Sequence, residues 1–105
     1  MDKKAIDPIP ALYGRKLREI YGYRLERVVL FGSRARGDAQ PDSDYDVAVC
    51  LSSMPDRWRE LDRLALASLD FVDETGAVVN ALPYCTAAYQ RTPLMGEVRR
   101  EGVGV

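Results

Sequence analysis

Apolar positions along this chain switch between helical and strand spacing, with glycines and prolines at the switches. Leu12, Tyr13, Leu17 and Ile20 recur at mixed i+3/i+4 spacing and predict a first helix over Pro8–Gly22, with proline in its first turn and Gly22 at its stop. The run Val28-Val29-Leu30-Phe31 predicts a strand over Leu25–Phe31, buried on both faces and ended by Gly32-Ser33. Ser33 is placed to cap a helical turn at Arg34–Arg36, which Gly37 stops. Ala39–Ser43 contains a proline and reads as loop, and Asp44–Leu51 as a second strand. A loop at Ser52–Pro55 leads into a long helix from about Asp56 to Phe71, with Trp58, Leu61, Leu64, Ala65 and Leu69 on one face and Leu66 broadening it. Asp73–Gly76 reads as a turn, and Ala77–Tyr84 as a third strand ending near Pro83. A short turn at Ala87–Gln90 and a helix at Leu94–Glu101, stopped by Gly102, complete the pattern. This order predicts an α/β (α+β) fold, a small three- to four-stranded mixed sheet flanked by helices.

Composition narrows the class. A chain of 105 residues, 47% hydrophobic and 30% charged, reads as a single domain spanning 1–105. Fifteen basic against 16 acidic side chains give a net charge of −1, so no direct nucleic-acid partner is expected. The charge is uneven: Arg15, Lys16, Arg18, Arg24, Arg27, Arg34 and Arg36 face only Glu19 and Glu26 between residues 14 and 36. Such a local basic region suits a phosphate ligand. No apolar run reaches the roughly 18–20 residues that span a bilayer, and the N-terminus lacks the apolar core of a signal peptide. The expectation is a cytoplasmic protein with no membrane partner and with Cys50 and Cys85 as reduced thiols. With no histidine and no Cys-x-x-Cys, neither a zinc site nor a Ser-His-Asp triad is expected, and any metal should be oxygen-ligated.

The unusual stretch is Gly32-Ser33, ten residues, then Asp44-Tyr45-Asp46. Residues two apart in a strand share a face, about 6.5–7 Å apart, so Asp44 and Asp46 project together and Tyr45 opposite them. Like charges held together need a positive partner, and Mg²⁺ is commonly held by one or two carboxylates with water and substrate phosphates. Gly32 permits close backbone approach, and the turn begun at Ser33 presents N–H groups suited to an anion. If the two strands are antiparallel neighbours, the phosphate end and the carboxylate end meet. A nucleoside triphosphate with Mg²⁺ needs both.

The segment GSRARGDAQPDSDYDVAV resembles the signature of the DNA polymerase β-like nucleotidyltransferase superfamily, in particular its minimal nucleotidyltransferase (MNT) group. Gly32, Ser33, Asp44 and Asp46 match the pattern Gly-Ser, ten residues, Asp-x-Asp, and Arg34, Ala35, Arg36, Gly37 and Ser43 fit its usual flanks. The resemblance is sharp over residues 28–51 and elsewhere extends only to length and element order. It implies the nucleotidyltransferase fold, with Gly32 and Ser33 holding the triphosphate and Asp44 and Asp46 holding Mg²⁺ and acting in catalysis. Arg34 and Arg36 read either as phosphate or partner contacts or as surface charges, with Ser43 beside the phosphate group. The family commonly carries a third acidic residue on a later strand. In AVVNALPY the corresponding polar residue is Asn80, which can ligate a metal weakly and cannot act as a base.

The resemblance further implies an MNT-type antitoxin that transfers AMP from ATP to a tyrosine of a helical HEPN-type toxin, in a hetero-oligomer with it. Two other functions fit the same residues. One is a catalytically weak or inactive module that neutralises its partner by binding; the other is a nucleotidyltransferase subunit acting on a small molecule. Trp58 and Tyr84 read as packing, Asp70, Asp73 and Glu74 as solvated charges, Arg99-Arg100-Glu101 as a solvated helix face and Lys3-Lys4 as a frayed terminus.

Overall fold

The computed structural model of the chain describes residues 7–37, 40, 43–86 and 103–104. The helix α1 spans Ile9–Tyr21 and passes through a 3₁₀ turn at Gly22–Arg24 into the strand β1, Leu25–Phe31. The one-turn helix α2, Ser33–Arg36, and the strand β2, Tyr45–Leu51, follow. The long helix α3, Arg57–Thr75, and the strand β3, Val79–Cys85, come next, and a two-residue strand β4, Val103–Gly104, ends the described chain. The strands form one four-stranded sheet in the order β3-β2-β1-β4. β2 is antiparallel to β1 and parallel to β3, so the sheet is mixed, as the alternation of strands and helices predicts.

Strand parity sorts the core. Tyr45, Val47, Val49 and Leu51 of β2 join Val28, Leu30 and Val79 in one buried cluster with Tyr13, Leu17 and Tyr21 of α1 and Leu64 and Phe71 of α3. The alternate residues Ala48 and Cys50 pack with Val29, Phe31 and Tyr84 on the other face. Each fully buried valine or leucine contributes about 1.5–3 kcal/mol, and a one-residue slip of β2 would turn its whole apolar set away from the helices. Register is therefore tightly specified. The rings of Tyr13 and Phe71 meet edge to face at 5.1 Å, and the Tyr13 hydroxyl lies 3.0 Å from Ser68 Oγ, so α1 is seated on α3. Cys50 and Cys85 are free thiols, and burial pushes the Cys50 thiol up to about 11, so it stays protonated at neutral pH.

Several expectations are corrected. The buried face of α3 is Glu60, Leu64, Ala67 and Phe71; Leu64 of the expected stripe lies on it, while Trp58, Leu61, Ala65 and Leu69 centre roughly 135° away at 3.6 residues per turn. Trp58 is 77% and Leu69 61% exposed, so Trp58 is not a packing residue. The helix also runs past Phe71 to Thr75. Asp73 and Glu74 are helical, and Gly76, at φ 79°, supplies the left-handed stop, donating its N–H to Val72. Asp56 caps the start, its carboxylate accepting the Arg59 N–H. On α1 the buried residues are Tyr13, Gly14, Leu17 and Tyr21, and Leu12 lies outside that face. Pro83 lies inside β3 rather than at its end; β3 is an edge strand, where a missing N–H need not break a ladder. Asp70, Asp73 and Glu74 are exposed as expected, with Glu74 taking an ion pair from Lys16. The turn expected at 87–90, the helix expected at 94–101, Arg99-Arg100-Glu101 and Lys3-Lys4 lie outside the described residues.

Glu60 explains why α3 presents an acidic residue to the core. It is 2% exposed and accepts from Arg24 Nη2 at 2.8 Å, and the same Arg24 nitrogen donates to the Ser53 carbonyl at 2.9 Å. Burial opposes ionisation of Glu60, but the hydrogen bond from Arg24, the nearby Tyr21 hydroxyl and the charges of Arg24 and Arg63 outweigh it and hold the carboxyl below its ordinary 4.5. A depressed carboxyl contributes stability above its unfolded-state pKa and loses it as pH falls through the folded value. Arg24→Ala strands this carboxylate and should cost about 3 kcal/mol at pH 7. Denaturant unfolding should show the penalty shrinking below pH 4.5 as Glu60 protonates; a pH-independent penalty would contradict the pairing.

Candidate functional site

The antiparallel register of β1 and β2 places Phe31 opposite Asp46, so the chain leaves β1 into Gly32 directly beside the start of β2. The parallel register of β2 and β3 places Asn80 on the other side of Asp46. The three segments converge at one end of the sheet. Asp46 lies in the parity of Ala48 and Cys50, on the face away from α1 and α3, while Tyr45 points into the helix-covered core. Asn80 Nδ2 donates to Asp44 Oδ2 at 3.1 Å, which ties the residue before β2 to the edge strand.

Gly32 is required by geometry. Its φ of 75° and ψ of −156° lie in a region that side chains disfavour. A Cβ added there would stand 2.6 Å from Asp46 Oδ2, closer than real Cβ atoms come to any neighbour. The glycine thus lets a carboxylate sit against the backbone of the following turn. Gly32 is also the residue that caps α2, correcting the expectation that Ser33 does so: Ser33 is the first helical residue, and no side chain caps the turn. The Ala35 and Arg36 N–H groups donate back to the Gly32 carbonyl, both at 3.1 Å, and Gly37 donates to Ser33 O. The Ser33 and Arg34 N–H groups, at the first two helical positions, precede the first donors of the turn.

Asp44 stands between two anchored neighbours. Arg34 donates through Nη2 and Nε to the Ser43 carbonyl at 2.8 and 3.2 Å, and its guanidinium stacks 4.3 Å above the Tyr45 ring. Ser43 Oγ accepts the Gln40 N–H at 2.9 Å, and Ser43 N donates to the Gln40 carbonyl. Tyr45 N donates to Val78 O at 2.9 Å, and the Tyr45 hydroxyl donates to Asp7, which also receives the Ile9 N–H at the start of α1. Burial, reinforced by the bond and charge of Asp7 and partly offset by Arg34, pushes the Tyr45 hydroxyl up to about 12, so it stays a donor. Arg34 and Ser43, grouped in the sequence with phosphate contacts, are thus engaged in holding the approach to Asp44. Arg36 is exposed on α2. The Arg34 clamp and the Asp7–Tyr45 bond had no signal in the sequence beyond the parity that turns Tyr45 inward.

Two depressions flank this end of the sheet. A cleft of about 400 Å³ opens between Ile9, Arg34, Asp44, Tyr45, Gly76 and Val78. A second, of about 340 Å³, runs between α3 and β3 past Leu61, Ala65, Ser68 and Leu82 and reaches Asn80. Among the described residues no group of three or more His, Cys, Asp or Glu side chains is placed to hold a metal. The oxygen donors at the site are two carboxylates and one amide. That set, with no nitrogen or sulfur ligand, fits a hard cation such as Mg²⁺ completed by water and phosphate.

A family model described as a nucleotidyltransferase domain matches residues 14–86. The chain belongs to the nucleotidyltransferase domain family. It is 53% identical over 32 residues to a candidate protein adenylyltransferase of Methanocaldococcus jannaschii, a match covering 30% of this chain and 32% of that protein. The chain therefore aligns with about a third of that curated relative. Among solved structures, a candidate minimal nucleotidyltransferase superposes with a TM-score of 0.60 at 26% identity, covering 98% of this chain and 100% of its own. A toxin–antitoxin complex with AMP-PNP superposes with a TM-score of 0.60 at 20% identity, over 89% of this chain and 69% of that one. The MNT antitoxin complex with a tri-AMPylated HEPN toxin of Shewanella oneidensis gives 0.58 at 17% identity, over 91% and 67%. At those two identities the likeness is one of fold. No described helix of this domain is long and apolar enough to cross a membrane.

The Gly32 approach gives a direct check. Gly32→Ala should lose about 1–3 kcal/mol of stability through backbone strain and should push the Asp46 carboxylate from its place. Thermal unfolding together with Mn²⁺ titration reads both; an alanine variant with wild-type stability and wild-type Mn²⁺ affinity would contradict the close approach.

Proposed function

We propose that this protein is an MNT-type antitoxin and protein adenylyltransferase, moving AMP from ATP to a tyrosine of a helical HEPN-type partner toxin. The observation that carries the reading is the convergence of Gly32, Asp44 and Asp46 through the β1–β2 register. Gly32 and Ser33 receive the triphosphate along the turn into α2, whose first N–H groups favour anions. Asp44 and Asp46 are the residues that would hold Mg²⁺, and Asn80 lies beside both. When bound, the ion supplies positive charge against the triphosphate and the leaving pyrophosphate. The acceptor hydroxyl oxygen forms the new bond to the α-phosphorus while the bond to the β-phosphate bridging oxygen breaks, and the hydroxyl proton passes to water. Positioning and charge neutralisation account for the rate, since Asn80 supplies no base.

The acceptor is taken to be a protein for two reasons. The MNT antitoxin that shares this fold was captured with an AMPylated HEPN toxin, and the matched Methanocaldococcus protein is named for protein adenylylation. The groove that reaches Asn80 is lined on α3 by Leu61 and Ala65, and the same helix leaves Trp58 and Leu69 in solvent. A large apolar partner fits that surface better than a small polar acceptor does.

Incubation of a HEPN-type helical partner with the protein, ATP and Mg²⁺ should raise the partner's intact mass by whole AMP units. The variant Asp44→Asn with Asp46→Asn should lose that transfer by at least about 10³-fold, as expected when charge stabilisation at the reacting centre is removed. An unchanged partner mass with the wild-type protein would overturn the transferase reading. A folded double variant that still neutralises the partner would favour neutralisation by binding alone.

A further inference from the structure

We infer that Asp44 and Asp46 hold a single divalent cation, and that Asn80 is the positioning residue that sets Asp44 for it. The inference rests on the metal-dependent reading above and concerns how many ions the site takes. Paired-ion sites place two cations about 3.5–4 Å apart and need carboxylates enough to hold both. Here the cross-strand neighbours of Asp46 are Phe31 on β1 and Asn80 on β3, and neither carries a carboxylate. Among the described residues no third acid joins the pair. Two aspartates balance the charge of one divalent ion, and Mg²⁺ is ordinarily satisfied by one or two carboxylates with water and phosphate.

Asn80 takes a defined part in this arrangement. Its Nδ2 donates to Asp44 Oδ2 at 3.1 Å, so the amide offers its hydrogen to the carboxylate rather than a charge to a second ion. Such a bond fixes the orientation of Asp44 and eases its repulsion from Asp46, leaving its other oxygen for the cation. Outer-shell donors of this kind typically tune metal affinity by roughly 10–100-fold. Asn80 is exposed on an edge strand, so substitutions there leave the core intact.

The test counts Mn²⁺ by electron paramagnetic resonance on the full chain with AMP-PNP. Wild-type protein should bind one Mn²⁺ per chain with no Mn–Mn coupling. Asn80→Asp should bind two and show the coupled signal of ions about 4 Å apart. Asn80→Ala should keep a count of one and lose roughly tenfold in affinity. Two coupled ions in the wild type would overturn the inference and leave the nucleotidyl-transfer reading standing. Unchanged affinity in Asn80→Ala would overturn the positioning role, and a single ion in Asn80→Asp would overturn the placement of residue 80 at a second cation's position. No Mn²⁺ above the level of the Asp44→Asn, Asp46→Asn variant would overturn the metal-dependent reading itself.

Discussion

The antiparallel pairing of β1 with β2 is the contact on which the site depends. It puts Phe31 opposite Asp46, and the turn after Phe31 must then pass within a carboxylate's width of the Asp46 side chain. A glycine at that point is a steric requirement. The same register turns Val47 and Val49 toward α1 and α3, so core burial and site geometry are one constraint. A slip that relieved the crowding at Gly32 would expose the centre of the core. Like charges at Asp44 and Asp46 are tolerated because the fold's apolar burial, rather than local attraction, holds them together.

Around that contact the chain builds a rigid approach to Asp44. Arg34 grips the Ser43 carbonyl and covers the Tyr45 ring, and Tyr45 is tied on one side to Val78 and on the other to Asp7. Three separate segments, the lead-in to α1, α2 and the α3–β3 turn, thus bear on the two residues that flank Asp44. Arginine suits the role because its planar fork can bond a carbonyl while its face stacks on a ring. At the other end of the sheet, the Arg24–Glu60 pair locks α3 over the β1–β2 layer. The helix is held at one rotation, and its second apolar stripe remains in solvent.

Much of this was legible in the residues. The buried end of β1 follows from the apolar run Val28–Phe31, and the parity of β2 from the alternation that separates Asp44 and Asp46 from Tyr45. The meeting of Gly32 with Asp46 followed once antiparallel neighbours were assumed. The rotation of α3 was not legible. That helix carries two apolar stripes, and the buried one includes Glu60, which sequence patterning assigns to solvent. Its pairing with Arg24, 36 residues away, decides between them. Pro83 was misplaced for a similar reason, because its tolerance depends on β3 being an edge strand. Arg34 read either as a phosphate or partner contact or as a surface charge, and its stacking on Tyr45 appears only in three dimensions.

The proposal that Gly32, Asp44 and Asp46 converge on one nucleotide is tested most directly by a crystal structure with AMP-PNP and Mn²⁺, measured at the manganese absorption edge. The account predicts an anomalous peak about 2.1–2.2 Å from carboxylate oxygens of Asp44 and Asp46, with the triphosphate against the Gly32–Ser33 backbone. A nucleotide bound elsewhere on the protein, or manganese seated away from both aspartates, would contradict it.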